Sequence, residues 1–489
     1  MSENMAEKGV VSPFFRQLLA VSGMVMYMIG SGANIAYPAV LLEQLRHPDS
    51  KLRLNTEHES WIASIMGLAL LSGTTVAPFM LQKLGRKLTN QLSTLPSLGG
   101  WALVAAAKGP VALLVGRTML GLGMGIQAAA APVSIAEYSA PKHRGAFLAT
   151  IAFSFATGML IAHVFGTLLF WRAAGLACGS VYALALILIS LSPETPPYLV
   201  SVGKYDACKK SYRWLRGYDP NSEKELAILL NNQMKVPVST PVSRWKTCRE
   251  TIRKPEFYKP TFIMVLMFVL FQVSGMTVVP SYTIAMMNEV TGETIQGNIS
   301  MLMVDVVRFI TAVVSCFVVN KLNRRTVLFI GVITSVTSLL VAATLLFLRD
   351  YGYIPEPYHW VPVIPTLVYI FGKTLGILPI PWAIAGEIFP LAYRSLGSGI
   401  SGMILSVMFF VVVKTAPFSF TAIGVNGTFC IYATSIGICG AFLYFLLPET
   451  KGKTLFEIEC HFRGIKVNEI HLEQCEGEKM LELEKIECS

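Results

Sequence analysis

Leu84-Gly85-Arg86-Lys87 and Leu322-Asn323-Arg324-Arg325 are two copies of one short basic turn, and each is followed by the same companions in the same order. In the first copy Glu137 stands seven positions before Arg144, and Pro193-Glu194-Thr195 comes next; in the second, Glu387 stands seven before Arg394 and Pro448-Glu449-Thr450 follows. The second set trails the first by about 240 to 255 residues, half the chain, which is the mark of an internal duplication. Long apolar runs fill the intervals. Two repeated membrane bundles around a central site are the architecture of alternating access.

Composition points the same way. With 53% hydrophobic and 14% charged residues, the 489-residue chain has too little polar surface to clothe a soluble globule. A span needs about 20 apolar residues to cross a bilayer core of ~30 Å. Twelve stretches qualify, near 17-42, 58-81, 91-107, 110-134, 146-168, 172-192, 257-282, 298-319, 326-347, 361-385, 395-417 and 425-447. The expected fold is therefore an all-α membrane protein of twelve transmembrane helices in two six-helix halves. In this division 1-16 is an N-terminal tail, 17-192 the first bundle, 193-256 a linker with short helices, 257-447 the second bundle and 448-489 a C-terminal tail. The first apolar run is span-length with no clear cleavage site after it, so no cleavable signal is expected.

Lys and Arg are retained on the cytoplasmic side of membrane proteins. Residues 193–259 carry thirteen of them, and Lys83, Arg86, Lys87, Lys321, Arg324 and Arg325 fall on the same side if the spans alternate. Both termini and the linker are accordingly expected in the cytoplasm. The net charge of +10 reflects this bias and anionic inner-leaflet lipid rather than nucleic acid. The sequons at Asn298 and Asn426 fall on the outer side in this topology. The nine cysteines show no CxxC spacing, and no metal site, cofactor or catalytic constellation is legible.

The run Val115-Gly116-Arg117, Gly121, Gly123, Gly125, Pro132, Ala136-Glu137 and Arg144-Gly145, with Leu215-Arg216-Gly217 after it, resembles the sugar porter family of the major facilitator superfamily. The second half agrees through Gln272, Ser274-Gly275, Pro379-Ile380-Pro381-Trp382, Glu387-Ile388-Phe389-Pro390, Arg394 and the ending from Pro448 to Leu455. Within the family, Lys414-Thr415 and the ending from Asn426 to Glu459 are most similar to insect facilitated trehalose transporter-like proteins. The resemblance implies the major facilitator fold and a plasma-membrane carrier of a sugar or polyol, with no enzymatic activity.

Arg117 and Glu137 are twenty residues apart on one helix, a rise of roughly 30 Å, so they lie at opposite faces. Glu137 and Arg144 share the inner face, where they can pair with Arg86 or Lys87 and with the corresponding Glu387, Arg394, Arg324 and Arg325 of the other half. Ion pairs bridging the halves there would hold an inner gate shut and break as it opens. The plainer reading is a set of positive-inside anchors. Gln82 and Asn320 stand where the resemblance implies Asp, which removes two charge partners.

The resemblance assigns the sugar pocket to Gln272, Thr277, Tyr282, Thr374 and Trp382, with departures from the family pattern. One of two adjacent glutamines in span seven is Phe271, and the family Asn is Thr277. Ala152, Leu405 and Ser406 replace further polar or aromatic positions. Arg308 falls where the family has a pocket Asn, and Asp305 lies one turn earlier on the same helix face. Ionisable groups within a span are costly and normally face a cavity or a partner. Asp305 and Arg308 are read either as a structural pair or as a site for an acidic substrate group, to which Lys373 would add a second cation or itself pair with Asp305. His163 reads as a hydrogen-bonded core residue, and Lys414 as a side chain reaching the outer interface. Residues 18–42 contain no Asp, Glu, His, Lys or Arg, which disfavours proton coupling. A facilitative sugar carrier is the principal expectation; an organic anion or acidic sugar carrier using Arg308, and a non-transporting membrane sensor, are the alternatives. Oligomeric state is not legible.

Overall fold

A computed structural model describes residues 12–234, 253–389 and 394–463, apart from positions 49, 51, 53, 293 and 454. All regular structure among these residues is helical. Spans one to six are Pro13–Arg46, Thr56–Lys83, Arg86–Ala106, Pro110–Tyr138, Pro141–Leu168 and Trp171–Leu191. Span seven is broken into Pro255–Val273 and Val278–Thr291, span eight is Gly297–Lys321 and span nine Arg324–Asp350. Span ten runs through Val363–Gly372, a π-turn at Lys373–Ile377, and Pro379–Glu387. Spans eleven and twelve form one helical run, Arg394–Leu446, divided at Gly424, whose φ of 72° suits glycine.

Ten stretches are long and apolar enough to cross a membrane on their own. The run Leu396–Leu446 is one of them although it crosses twice, and span three is not among them. Span three is polar because it faces protein. Its Asn90 amide donates to Ser134 Oγ at 2.8 Å, Ser93 Oγ donates to Gln127 Oε1 at 2.8 Å, and Ser97 bonds the Tyr27 hydroxyl at 2.7 Å. In hydrocarbon such groups must be satisfied internally.

Lipid tails supply little hydrophobic drive between helices, so close packing through small residues takes its place. A Cβ at Gly32 would overlap the Phe155 carbonyl, and one at Gly158 would overlap the Ile29 carbonyl, so spans one and five lie almost backbone to backbone. Short helices Pro196–Ser201, Tyr205–Arg216 and Pro220–Met234 pack beneath the first half. There the Tyr212 hydroxyl donates to Glu225 at 2.8 Å and the Arg213 guanidinium lies over the Tyr218 ring.

The two halves meet at the end of the bundle away from the repeated basic turns. The apolar core of the first half takes in Val278, Tyr282, Phe409 and Val413 of the second. A Cβ at Gly67 would press on the Phe410 backbone, and Trp61 packs against Phe410. Lys414 reaches the first turns of span two, where its Nζ donates to Ser60 Oγ at 2.7 Å and sits 4.2 Å from the Trp61 ring centre. The hydroxyl and the aromatic face both favour an ammonium. Toward the basic turns the same helices part: Phe79 is 61% exposed, and a Cβ at Gly399 or Gly402 would meet nothing within 4 Å. Between spans two and eleven the cleft is open at that end, while spans five and eight stay in contact through Phe153 with Phe309 and Cys316 with the Ala149 carbonyl.

Gly158→Val should therefore wedge spans one and five apart and cost at least about 1–3 kcal/mol, as overpacking does. Thermal melting and size-exclusion monodispersity of the purified protein would register it. A variant as stable as the parent would contradict this packing.

Candidate functional site

The repeated turns build one local structure twice. In the first half the Glu194 carboxylate accepts from the backbone N–H groups of Arg86 and Lys87, at 3.1 Å each, and so caps the start of span three. In the second half Glu449 accepts from the N–H groups of Arg324 and Arg325, also at 3.1 Å, and caps span nine. A carboxylate at a helix N-terminus satisfies orphan donors and meets the positive end of the dipole. Burial raises the Glu194 carboxyl pKa, and these N–H groups oppose that rise.

The arginines then pair inside their own halves. Arg86 Nη2 reaches Glu137 at 2.7 Å, and Arg324 Nη2 reaches Glu387 at 3.3 Å, with Thr450 Oγ1 donating to the other Glu387 oxygen at 2.7 Å. Arg144 donates to the Ala136 carbonyl, Lys87 to the Ser190 carbonyl and Arg325 to the Tyr444 carbonyl. The side chain of Arg394 lies outside the described residues. The expected pairs bridging the halves are absent among the described residues. The cleft is open here, so each carboxylate takes the nearer cation of its own bundle. Glu194, Glu449 and Thr450 went unassigned in the sequence reading, although their repetition as Pro-Glu-Thr was the available signal.

Deeper in the bundle, span seven breaks at Ser274-Gly275, where Gly275 has φ 70°. A break leaves carbonyls without helical partners. Span ten supplies them: the Tyr369 hydroxyl donates to the Ser274 carbonyl at 2.5 Å and Lys373 Nζ to the Gly275 carbonyl at 3.1 Å. Lys373 also bonds the Tyr369 hydroxyl at 3.1 Å. Its expected pairing with Asp305 is replaced by this closure of the break, which takes two of the three ammonium donors.

The sugar-pocket candidates gather around the same break. Thr277 Oγ1 donates to Gln272 Oε1 at 2.8 Å, and Gln272 Nε2 faces the Leu405 carbonyl at 3.5 Å. Trp382 of span ten stacks edge-on against Phe268 and Phe271 and is 42% exposed. Thr374, beside Lys373, is buried with its hydroxyl unbonded. Tyr282 stands apart, toward the closed end, at a kink in span seven with its hydroxyl on the Val413 carbonyl at 3.4 Å.

Asp305 and Arg308 are a pair: Arg308 Nη1 donates to Asp305 Oδ1 at 2.5 Å, and both side chains are buried. The other Asp305 oxygen bonds Nδ1 of His163 in span five, across the seam between the halves. His163 Nε2 faces the Ala36 carbonyl of span one at 3.1 Å. Arg308 Nη2 has no partner. A second buried cation, Arg117, donates from Nη1 to the Asn34 carbonyl at 2.7 Å and to Asn34 Oδ1 at 2.5 Å, and from Nε to the Ile62 carbonyl at 3.1 Å. Its side-chain partner in span one is thus uncharged.

The profile of the sugar (and other) transporter family matches residues 18–462. The facilitated trehalose transporter Tret1 of Apis mellifera ligustica is 31% identical over 453 residues, covering 91% of this chain and 87% of that protein. Its Bombyx mori namesake is 31% identical over 448 residues, covering 91% and 86%. Among solved structures, the proton:xylose symporter XylE bound to 6-bromo-6-deoxy-D-glucose superposes with a TM-score of 0.71 at 18% identity, over 92% of this chain and 99% of that one. The inward open conformation of XylE from E. coli gives 0.72 at 17% identity over the same shares. The fold is thus that of the major facilitator superfamily, and the chain belongs to the sugar (and other) transporter family.

Proposed function

We propose that the protein is a facilitative carrier of a neutral sugar, of the trehalose or hexose kind, working by alternating access in the plasma membrane with both termini cytoplasmic. The observation that carries this reading is the broken span seven, where Gln272 and Thr277 bond each other and Trp382, itself exposed, packs against Phe271 next to Gln272. Amide and hydroxyl groups that donate and accept, with an exposed aromatic ring, are the chemistry that holds a sugar. The names of the Tret1 relatives support the substrate class. In the proposed topology the open end is cytoplasmic, so the arrangement is inward-facing.

The facilitative part rests on Arg117. Its span-one partner is Asn34, which holds the guanidinium without a titratable acid. The anion alternative is weakened because the Arg308 charge is matched by Asp305 and Lys373 closes the break in span seven, although Arg308 Nη2 keeps a free donor. In this account Arg86, Lys87, Glu137, Arg144, Arg324, Arg325, Glu387 and Arg394 form the inner gate. Its ion pairs serve each half while the gate is open, and exchange across the cleft when it closes.

Labelled-sugar uptake into cells expressing the protein tests the pocket. Gln272→Ala and Trp382→Ala should each weaken apparent affinity about two- to tenfold, the worth of one lost contact at ~0.5–1.5 kcal/mol, with surface expression unchanged. Unaltered uptake in both variants would remove the pocket assignment.

The gate is tested apart from the pocket. Glu387→Gln should change the transport rate and the balance between conformations while leaving sugar affinity within one conformation nearly unchanged, since it acts only through contacts that differ between states. An unchanged rate in a normally folded variant would contradict the gate.

The Asp305–Arg308 pair yields a stability test. Asp305→Ala leaves a buried guanidinium without its counter-ion and should cost on the order of 3–5 kcal/mol. Asp305→Asn with Arg308→Gln should recover most of that loss. Melting curves that place all three proteins together would show that the pair bears no structural burden.

A further inference from the structure

His163 is held between two groups that, as a carboxylate and a carbonyl, can only accept. Its Nε2 faces the Ala36 carbonyl at 3.1 Å, and its Nδ1 faces Asp305 Oδ2. A neutral imidazole has one N–H and one lone pair, so it cannot serve both if Asp305 is ionised. The two bonds are satisfied together when the pair carries one additional proton. That proton sits on the ring, giving an imidazolium and a carboxylate, or on Asp305, giving a carboxylic acid that donates to Nδ1. The proton count is the same in both forms.

The surroundings leave no substitute donor among the described contacts. Asp305 Oδ1 is taken by Arg308 of its own helix. Span ten contributes Lys373 and Tyr369, both committed to the break in span seven. Span one contributes the Ala36 carbonyl, while its Tyr37 hydroxyl donates to the Trp171 carbonyl and its Tyr27 hydroxyl bonds Ser97. In span four Arg117 is bonded to Asn34 and Ile62, in span six Tyr182 packs on Tyr27, and in span seven Tyr282 faces the Val413 carbonyl. His163 and Asp305 are themselves buried.

We propose that His163 and Asp305 form a proton-binding site on the seam between the two halves, filled in this open-cleft conformation, and that filling it favours this conformation over the one in which the cleft closes. The pair joins span five of one half to span eight of the other, flanked by the Phe153–Phe309 contact and, nearer the basic turns, by Cys316 against the Ala149 carbonyl. Without the proton, a ring lone pair or an unmatched carbonyl faces an acceptor, and the seam loses a bond. By linkage, the conformation that binds the proton more tightly is favoured as pH falls and yields as pH rises. The effect is on the balance of conformations and requires no sugar.

Hydrogen–deuterium exchange of the full-length protein in lipid nanodiscs tests this, with labelling times corrected for the chemical effect of pH. Over a scan from about pH 5.5 to 8.5, which brackets ordinary imidazole chemistry, rising pH should slow exchange in residues 71–83 and 396–403 as the cleft closes. In Asp305→Asn the amide donates to Nδ1 without an added proton, so the response should vanish; the pairing of that change with Arg308→Gln gives the same test without an unpaired guanidinium. A wild-type profile that does not move with pH overturns the proposal, as does an equal shift in a folded variant. Should the variants fail to fold, infrared difference spectra of the wild type must show an imidazolium or protonated-carboxyl band lost in step with the exchange change, and its absence overturns the proposal. The sugar-carrier reading survives either failure.

Discussion

Hydrocarbon offers no hydrogen bonds, and every polar group taken into this bundle must find its partner in the protein. Much of the interior follows from that constraint. The break in span seven, which gives the central region its irregular backbone, is closed by Lys373 and Tyr369. Arg117 is tied to Asn34 and Ile62, Arg308 to Asp305, and Asp305 to His163. In the proposed pocket Trp382 is the exposed group, while Gln272 and Thr277 are buried and bonded to each other.

The duplicated motifs have a physical division of labour. Each Pro-Glu-Thr glutamate pins the start of a span by accepting from two backbone N–H groups, which holds the neighbouring arginine where it can reach the glutamate of the next motif. The capping contacts join neighbouring segments of one half, and so do the arginine–glutamate pairs. In the proposed gate the caps would hold the helix ends while the ion pairs exchange, so that neither side chain is left buried without a counter-charge.

Much of this was legible in the sequence, and the reasons are particular. Hydropathy marked the spans, including the polar span three, because a run of apolar residues between charged turns survives a few serines. The break at Ser274-Gly275 was not anticipated: 257-282 reads as one apolar run, and only the backbone shows Gly275 at positive φ. The 142-residue separation between His163 and Asp305 hid their bond. In one sequence each reads as an isolated polar residue, and only the packing of spans five and eight joins them. Lys373 was misjudged for a related reason. It found a carbonyl on span seven and a hydroxyl of its own span, whereas local reasoning offers only snorkelling or a neighbouring acid. Of the inner-face pairs, Arg86 with Glu137 was foreseen, whereas the expected pairs across the halves are not found among the described residues.

The central claim, that the two halves carry a sugar by alternate exposure of one site, is tested most directly by counterflow in proteoliposomes. Vesicles loaded with unlabelled trehalose or glucose and diluted into a trace of the labelled sugar should accumulate label transiently above its outside concentration, then lose it as the gradient decays. Label that enters no faster than into protein-free vesicles, across a panel of neutral sugars and with the protein shown to be folded, would contradict it.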